Sequence, residues 1–133
     1  MRTTLALTLL LGCLTANFVR ATDVNTSEIA RKCVTDLGVT EQDIWDLRSG
    51  KVKPADVKEN VKCIAKCVMV ASGYMDESGS LLTDKIKKQY ANHPHRHAIY
   101  KALEVCGVVK GANACDTAFN IVSCVQTNGR SFQ

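Results

Sequence analysis

The sequence predicts an all-α fold of about six short helices. Three observations point there. Apolar residues recur at helical spacing in one segment after another, and β-branched residues sit inside those stripes. No stretch sustains strand alternation between hairpin turns. Cys63 and Cys67 are spaced to lie one turn apart on a single helix face, pointing the same way and so needing partners elsewhere.

The start of the chain is set apart from this pattern. Arg2 is followed by an apolar run over residues 3–14 and then by Val19-Arg20-Ala21, which reads as a secretory signal cleaved after Ala21, with Ala16 as the second option. The run is too short to span a bilayer, and no later run is long enough, so the expected product is soluble, secreted and extracellular. Removing residues 1–21 of 133 leaves 112, one domain's worth, at 22–133. Arg2 and Arg20 leave with the signal, so 15 basic residues face 13 acids, a net charge of +2. That balance does not suit nucleic acid, and the lysines are scattered rather than clustered with aromatics.

Cys13 also leaves, and six cysteines remain: Cys33, Cys63, Cys67, Cys106, Cys115 and Cys124. An even set in a short secreted chain implies three disulfides, each adding roughly 2–4 kcal/mol. Many connectivities are open, and helix geometry prunes them. Cys115 and Cys124 lie about two and a half turns apart and face opposite sides of one helix, so one can reach the central helix and the other a different neighbour.

The elements follow in order. Asn25-Thr26-Ser27 is a glycosylation sequon near a frayed start, to be read as either occupied or unused. Helix one covers about residues 27–37, with Ile29, Cys33 and Leu37 on one stripe and Gly38 as its stop. Helix two covers about residues 41–48, capped by Thr40, with Asp43 in its first turn and Ile44, Trp45 and Leu47 inward. Trp45 is expected as a core anchor in preference to a ligand contact, since single tryptophans usually pack. The central and longest helix covers about residues 54–74, started by Pro54. Its first half is amphipathic, with Lys58, Lys62 and Lys66 as a polar stripe. Its second half carries no charge on any face and is expected to be buried. Helix four covers about residues 81–90, with Leu82, Ile86 and Tyr90 on one face, and Asn92-His93-Pro94 breaks it. Helix five covers about residues 95–105, with Ala98, Ala102 and Val105 inward, flanked by Ile99 and Leu103. Helix six covers about residues 113–126, with Cys115, Ala118, Phe119, Val122 and Val125 on a broad inner face.

The intervals between the six cysteines are 29, 3, 38, 8 and 8 residues. This spacing resembles the insect odorant- and pheromone-binding proteins of the six-cysteine type, and the intervals of 3 and 8 are the restrictive ones. The resemblance covers the whole of the chain after the signal. It implies about six short helices around an apolar cavity, held by three interlocked disulfides: Cys33–Cys67, Cys63–Cys115 and Cys106–Cys124. It implies a carrier without enzymatic activity or cofactor, binding a small hydrophobic molecule such as an odorant or pheromone. A membrane chemoreceptor is the further partner implied, with the carrier a monomer or weak homodimer. The same fold also suits a non-olfactory carrier or an interaction protein in haemolymph, gut or reproductive fluid.

The motif consists only of cysteines, so cavity residues have to be argued from pattern. The candidates are Met69, Val70 and Tyr74, then Leu82, Ile86 and Tyr90, then Ile99, Leu103, Phe119 and Val122. Methionine suits a wall that adapts to several ligands. Tyr74 and Tyr90 suit an alcohol or carbonyl head group. The tail after helix six is short, with Phe132 its one apolar residue, too little for the cavity cover that some relatives carry.

His93, His95 and His97 cluster around Pro94. No nearby Asp, Glu or free Cys completes a metal site, and Pro94 spoils regular helical spacing, so no metal is expected. A solvated loop and an acid-sensitive switch beside the cavity remain as readings. An enzyme finds no support in the motifs: there is no His-Asp pair with a Gly-rich calcium loop, no G-x-S-x-G and no H-E-x-x-H, and the cysteines are committed to bridges.

Overall fold

Residues 27–132 are described by a computed structural model; the expected signal segment 1–21 and the expected sequon residue Asn25 lie outside the described residues. The chain divides into two units, Met1–Lys32 and Cys33–Gln133. In the first, residues 27–32 are helical. The helix α1, over residues 27–36, is followed in the second unit by α2 (Glu41–Arg48), a 3-10 turn at Pro54–Asp56, α3 (Glu59–Ala71), α4 (Thr83–Gln89), α5 (Arg96–Cys106), α6 (Ala114–Asn128) and a last 3-10 turn at Gly129–Phe132. Among the described residues there is no strand, only an isolated antiparallel bridge between Met75 and Leu81.

Local chemistry sets most boundaries where the sequence puts them. The Thr40 hydroxyl accepts from Asp43 N–H at 3.1 Å, and the Asp43 carboxylate accepts from Thr40 N–H at 3.0 Å, a reciprocal cap that starts α2. The Lys58 ammonium, 2.9 Å away, and the Thr40 N–H hold the Asp43 carboxyl down at about 2. Asn113 caps α6 by accepting from Asp116 N–H at 2.8 Å.

The central helix differs from the expected one in three ways. Residues 54–74 do not form one helix, because Val57 and Lys58 are extended between the 3-10 turn and α3. Val57 packs inward with Val39 and Val61, and Lys58 pairs with Asp43. At 13 residues α3 is also shorter than α6, at 15. Its uncharged second half is only half-buried, Met75 beyond it being the one fully enclosed residue of that stretch. The lysine stripe is not simply solvated. Lys58 meets Asp43, Lys62 meets Asp116 of α6 at 3.0 Å, and Lys66 meets Glu77 at 3.4 Å, so one row of cations ties α3 to three other segments.

Three disulfides complete the frame: Cys33–Cys67 between α1 and α3, Cys63–Cys115 between α3 and α6, and Cys106–Cys124 between α5 and α6. They are the interlocked pairs implied by the family resemblance. Within the second unit the apolar packing forms two clusters. One centres on Val39, Val57 and Val61, with Ile44, Leu47 and Phe119 against it. The other centres on Met75, Ala118 and Ile121, with Met69, Val70 and Leu81 against it. Trp45 joins neither and is 67% exposed, which overturns the expected core anchor. On the short α2, Ile44 and Leu47 already fill the inward face, and Trp45 points away.

Candidate functional site

Beside the Met75 cluster lies an apolar cavity of ≈280 Å³ lined by residues of α3, α4, α5 and α6 and open to one side. The turn after α3 shapes one side. Gly73, at φ 78°, lets the chain reverse so that Tyr74 N–H donates to Met69 O at 2.8 Å. Asp76 then organises a tight turn, its carboxylate accepting from Ser78 N–H and Ser80 N–H at 3.0 and 2.9 Å. The Ser78 hydroxyl bond and the backbone donors hold that carboxyl below the usual range. Gly79 has φ 89°, and a Cβ there would meet the Ala114 Cα at 2.8 Å, so the turn seats directly on the start of α6. That seating presents Leu81 to the cavity.

Ile86 and Tyr90 come from α4 and its end. The α5 wall is Ile99, Ala102, Leu103 and Cys106, and α6 adds Ile121 and Val125. Cys106 is wholly buried, and its bridge to Cys124 fixes the α5–α6 seam at the wall. Among the described residues, no lysine, arginine, histidine, aspartate or glutamate lines this space. Its polar feature is the tyrosine pair. The hydroxyls of Tyr74 and Tyr90 are 2.5 Å apart, and that bond, with burial behind it, pushes the Tyr90 phenol up to about 12. The Tyr90 phenol therefore stays protonated at neutral pH. One proton lies between the oxygens, which leaves the other hydroxyl hydrogen and the free lone pairs for a ligand.

Six of the ten residues expected at the cavity share it: Met69, Tyr74, Ile86, Tyr90, Ile99 and Leu103. The other four stand elsewhere. Val70 packs on the Met75 cluster and Phe119 on the Val39 cluster. Leu82 caps α4, and its N–H donates to Tyr74 O at 2.8 Å. The Met75–Leu81 bridge makes the backbone extended there, so Leu81 rather than Leu82 faces the cavity. Val122 is half-buried on α6 and outside the lining.

Sequence reasoning missed Leu81, Ala102, Cys106, Gly107, Ile121 and Val125 as lining. A signal for half of them was present. Cys106 and Cys124 face each other, so counting back by helical steps from Cys106 gives Leu103, Ala102 and Ile99, and from Cys124 gives Ile121 and Thr117. Those are the faces that turn inward. The expected α5 face of Ala98, Ala102 and Val105 is rotated from this one, and Val105 is exposed.

Sharing Ile99, Ala102 and Val125 with the cavity is a larger groove of ≈700 Å³, lined also by Ala98 and Phe132 and including His95 and His97. The short tail thus does contribute, through its 3-10 turn against α5 and α6. His93 stands edge-on to Tyr90, with ring centres 5.5 Å apart, and its Nδ1 accepts from His95 N–H at 3.1 Å. Among the described residues, the one close group of three candidate metal-binding side chains is Glu59, Cys63 and Cys115, whose sulfurs are joined to each other.

The profile of the PBP/GOBP family matches residues 15–128. General odorant-binding protein 56a of Drosophila melanogaster is 27% identical over 99 residues, covering 72% of this chain and 67% of that protein. Among solved structures, the fatty acid binding protein OBP56a from the oral disk of the blowfly Phormia regina superposes with a TM-score of 0.65 at 22% identity, covering 84% of this chain and 94% of that one. The medfly odorant binding protein CcapOBP22/CcapOBP69a gives 0.62 at 25% identity, covering 81% and 91%.

Proposed function

The chain belongs to the PBP/GOBP family, whose members are non-enzymatic carriers of small hydrophobic ligands, and from that premise we propose that it is a secreted carrier of long-chain alcohols or carbonyl compounds. The observation that carries the ligand class is the tyrosine pair in an otherwise apolar cavity with no ionisable cation among its described lining residues. Burying a chain there gains about 25 cal/mol per Å² before the costs of binding. An ionised carboxylate would sit unpaired in an apolar space and lose its hydration, whereas a hydroxyl or carbonyl is satisfied by one or two hydrogen bonds. The blowfly structure is named a fatty acid binding protein; here a neutral head group suits the lining better. Residues 1–21 act as the export signal on this reading, and 22–133 as the carrier. The carrier acts as a monomer or weak homodimer on this reading. Delivery to a membrane chemoreceptor belongs to the olfactory form of the reading, and transport in haemolymph, gut or reproductive fluid to the other.

The test is displacement of an environment-sensitive fluorescent probe by alcohols and by alkanes of matched length. The alcohol should be preferred by the wild type. The double variant Tyr74→Phe/Tyr90→Phe should lose about fivefold of that preference, the worth of one net hydrogen bond of ~1 kcal/mol. An undiminished preference would remove the tyrosines from recognition, and no displacement by any lipophile would favour the interaction-protein alternative.

A further inference from the structure

We propose that Ile99, Ala102 and Val125 form a passage rather than a closed wall, through which the chain of a ligand anchored at Tyr74 and Tyr90 continues into the groove beside Phe132, with Ala102 setting the length admitted. This rests on the carrier reading and deepens it. The same three residues line both the cavity and the groove, so the two spaces adjoin there. Ala102 contributes only a methyl there, and Val125 is 38% exposed, an apolar side chain without full packing.

Size makes room beyond the cavity necessary for long ligands. At about 30 Å³ per water-sized group, the ≈280 Å³ cavity holds about nine non-hydrogen atoms. Growth toward α3 is blocked by the packed Met75, Ala118 and Ile121 cluster. The groove offers ≈700 Å³, with Ala98 and Phe132 as apolar contacts for a chain end.

The experiment is a series of 1-alkanols from about six to about sixteen carbons, titrated by probe displacement against the full secreted chain, Ala102→Leu and Phe132→Ser. Each buried methylene is worth about fourfold in affinity. The readout is the slope of log affinity against length, which a uniform change in affinity does not move. In the wild type the rise should continue past about ten carbons. In Ala102→Leu it should flatten there, while the preference for alcohol over alkane persists. Phe132→Ser, outside the cavity, should flatten the same upper range and serves if Ala102→Leu does not fold. A wild-type plateau at about ten carbons, or a slope unchanged in both variants, would overturn the passage and leave the carrier reading standing. Loss of alcohol preference in Ala102→Leu would place the head group in the groove and also overturn it. Failure of every alkanol to bind the wild type would end both readings.

Discussion

Replacing Cys63 and Cys115 together by alanine should lower the free energy of unfolding by about 4 kcal/mol. The bridge closes a loop of sequence separation 52, the longest of the three. In the chain-entropy account the loss grows with the logarithm of loop length. Neither remaining bridge offers a shorter path between the two positions, since Cys33–Cys67 and Cys106–Cys124 do not connect across the interval. The full loop is therefore released in the unfolded chain. In the folded chain α3 and α6 keep the Lys62–Asp116 ion pair but lose their covalent tie. Urea denaturation without reductant would show this as a lowered midpoint. A midpoint matching the wild type would mean that packing alone holds the two helices.

Leu103→Trp should weaken binding of a cavity-sized alcohol by about fiftyfold or more while leaving the melting temperature equal to the wild type's or above it. Leu103 lies on the α5 wall, and an indole in its place displaces at least three methylene equivalents of ligand, at ~0.8 kcal/mol each. Filling unoccupied apolar space restores contacts that a cavity forfeits, so stability need not fall with affinity. The opposed directions distinguish a binding cavity from a packing defect. Probe displacement alongside thermal unfolding reads both quantities. Affinity and stability falling together would mean that the indole had disrupted the bundle rather than occupied its hollow.

Much of the architecture was legible because it is local or covalent. Caps such as Thr40 and Asn113, breaks such as Asn92-His93-Pro94, and the cysteine intervals each act over a few residues or by bond geometry. Helix rotation was less legible. On α5 two apolar stripes compete, and only the tertiary position of Cys106 selects the one carrying Ile99, Ala102 and Leu103. Trp45 was misplaced because hydrophobicity does not report that Ile44 and Leu47 had already used the inward face of a short helix. The split before α3 accompanies the pairing of Lys58 with Asp43, distant in sequence, and no local pattern contains that pairing. The Leu81 contribution depends on a two-residue bridge too short to show as strand alternation.

The central claim is that the space between α3, α4, α5 and α6 is where a lipophile is held. A crystal structure grown with a linear alcohol of about ten carbons tests it most directly. The account predicts alkyl density against Met69, Ile86, Leu103 and Ile121, with the hydroxyl in hydrogen-bond reach of the Tyr74–Tyr90 pair. An interior closed by side chains, with the alcohol only at the outer surface, would contradict it.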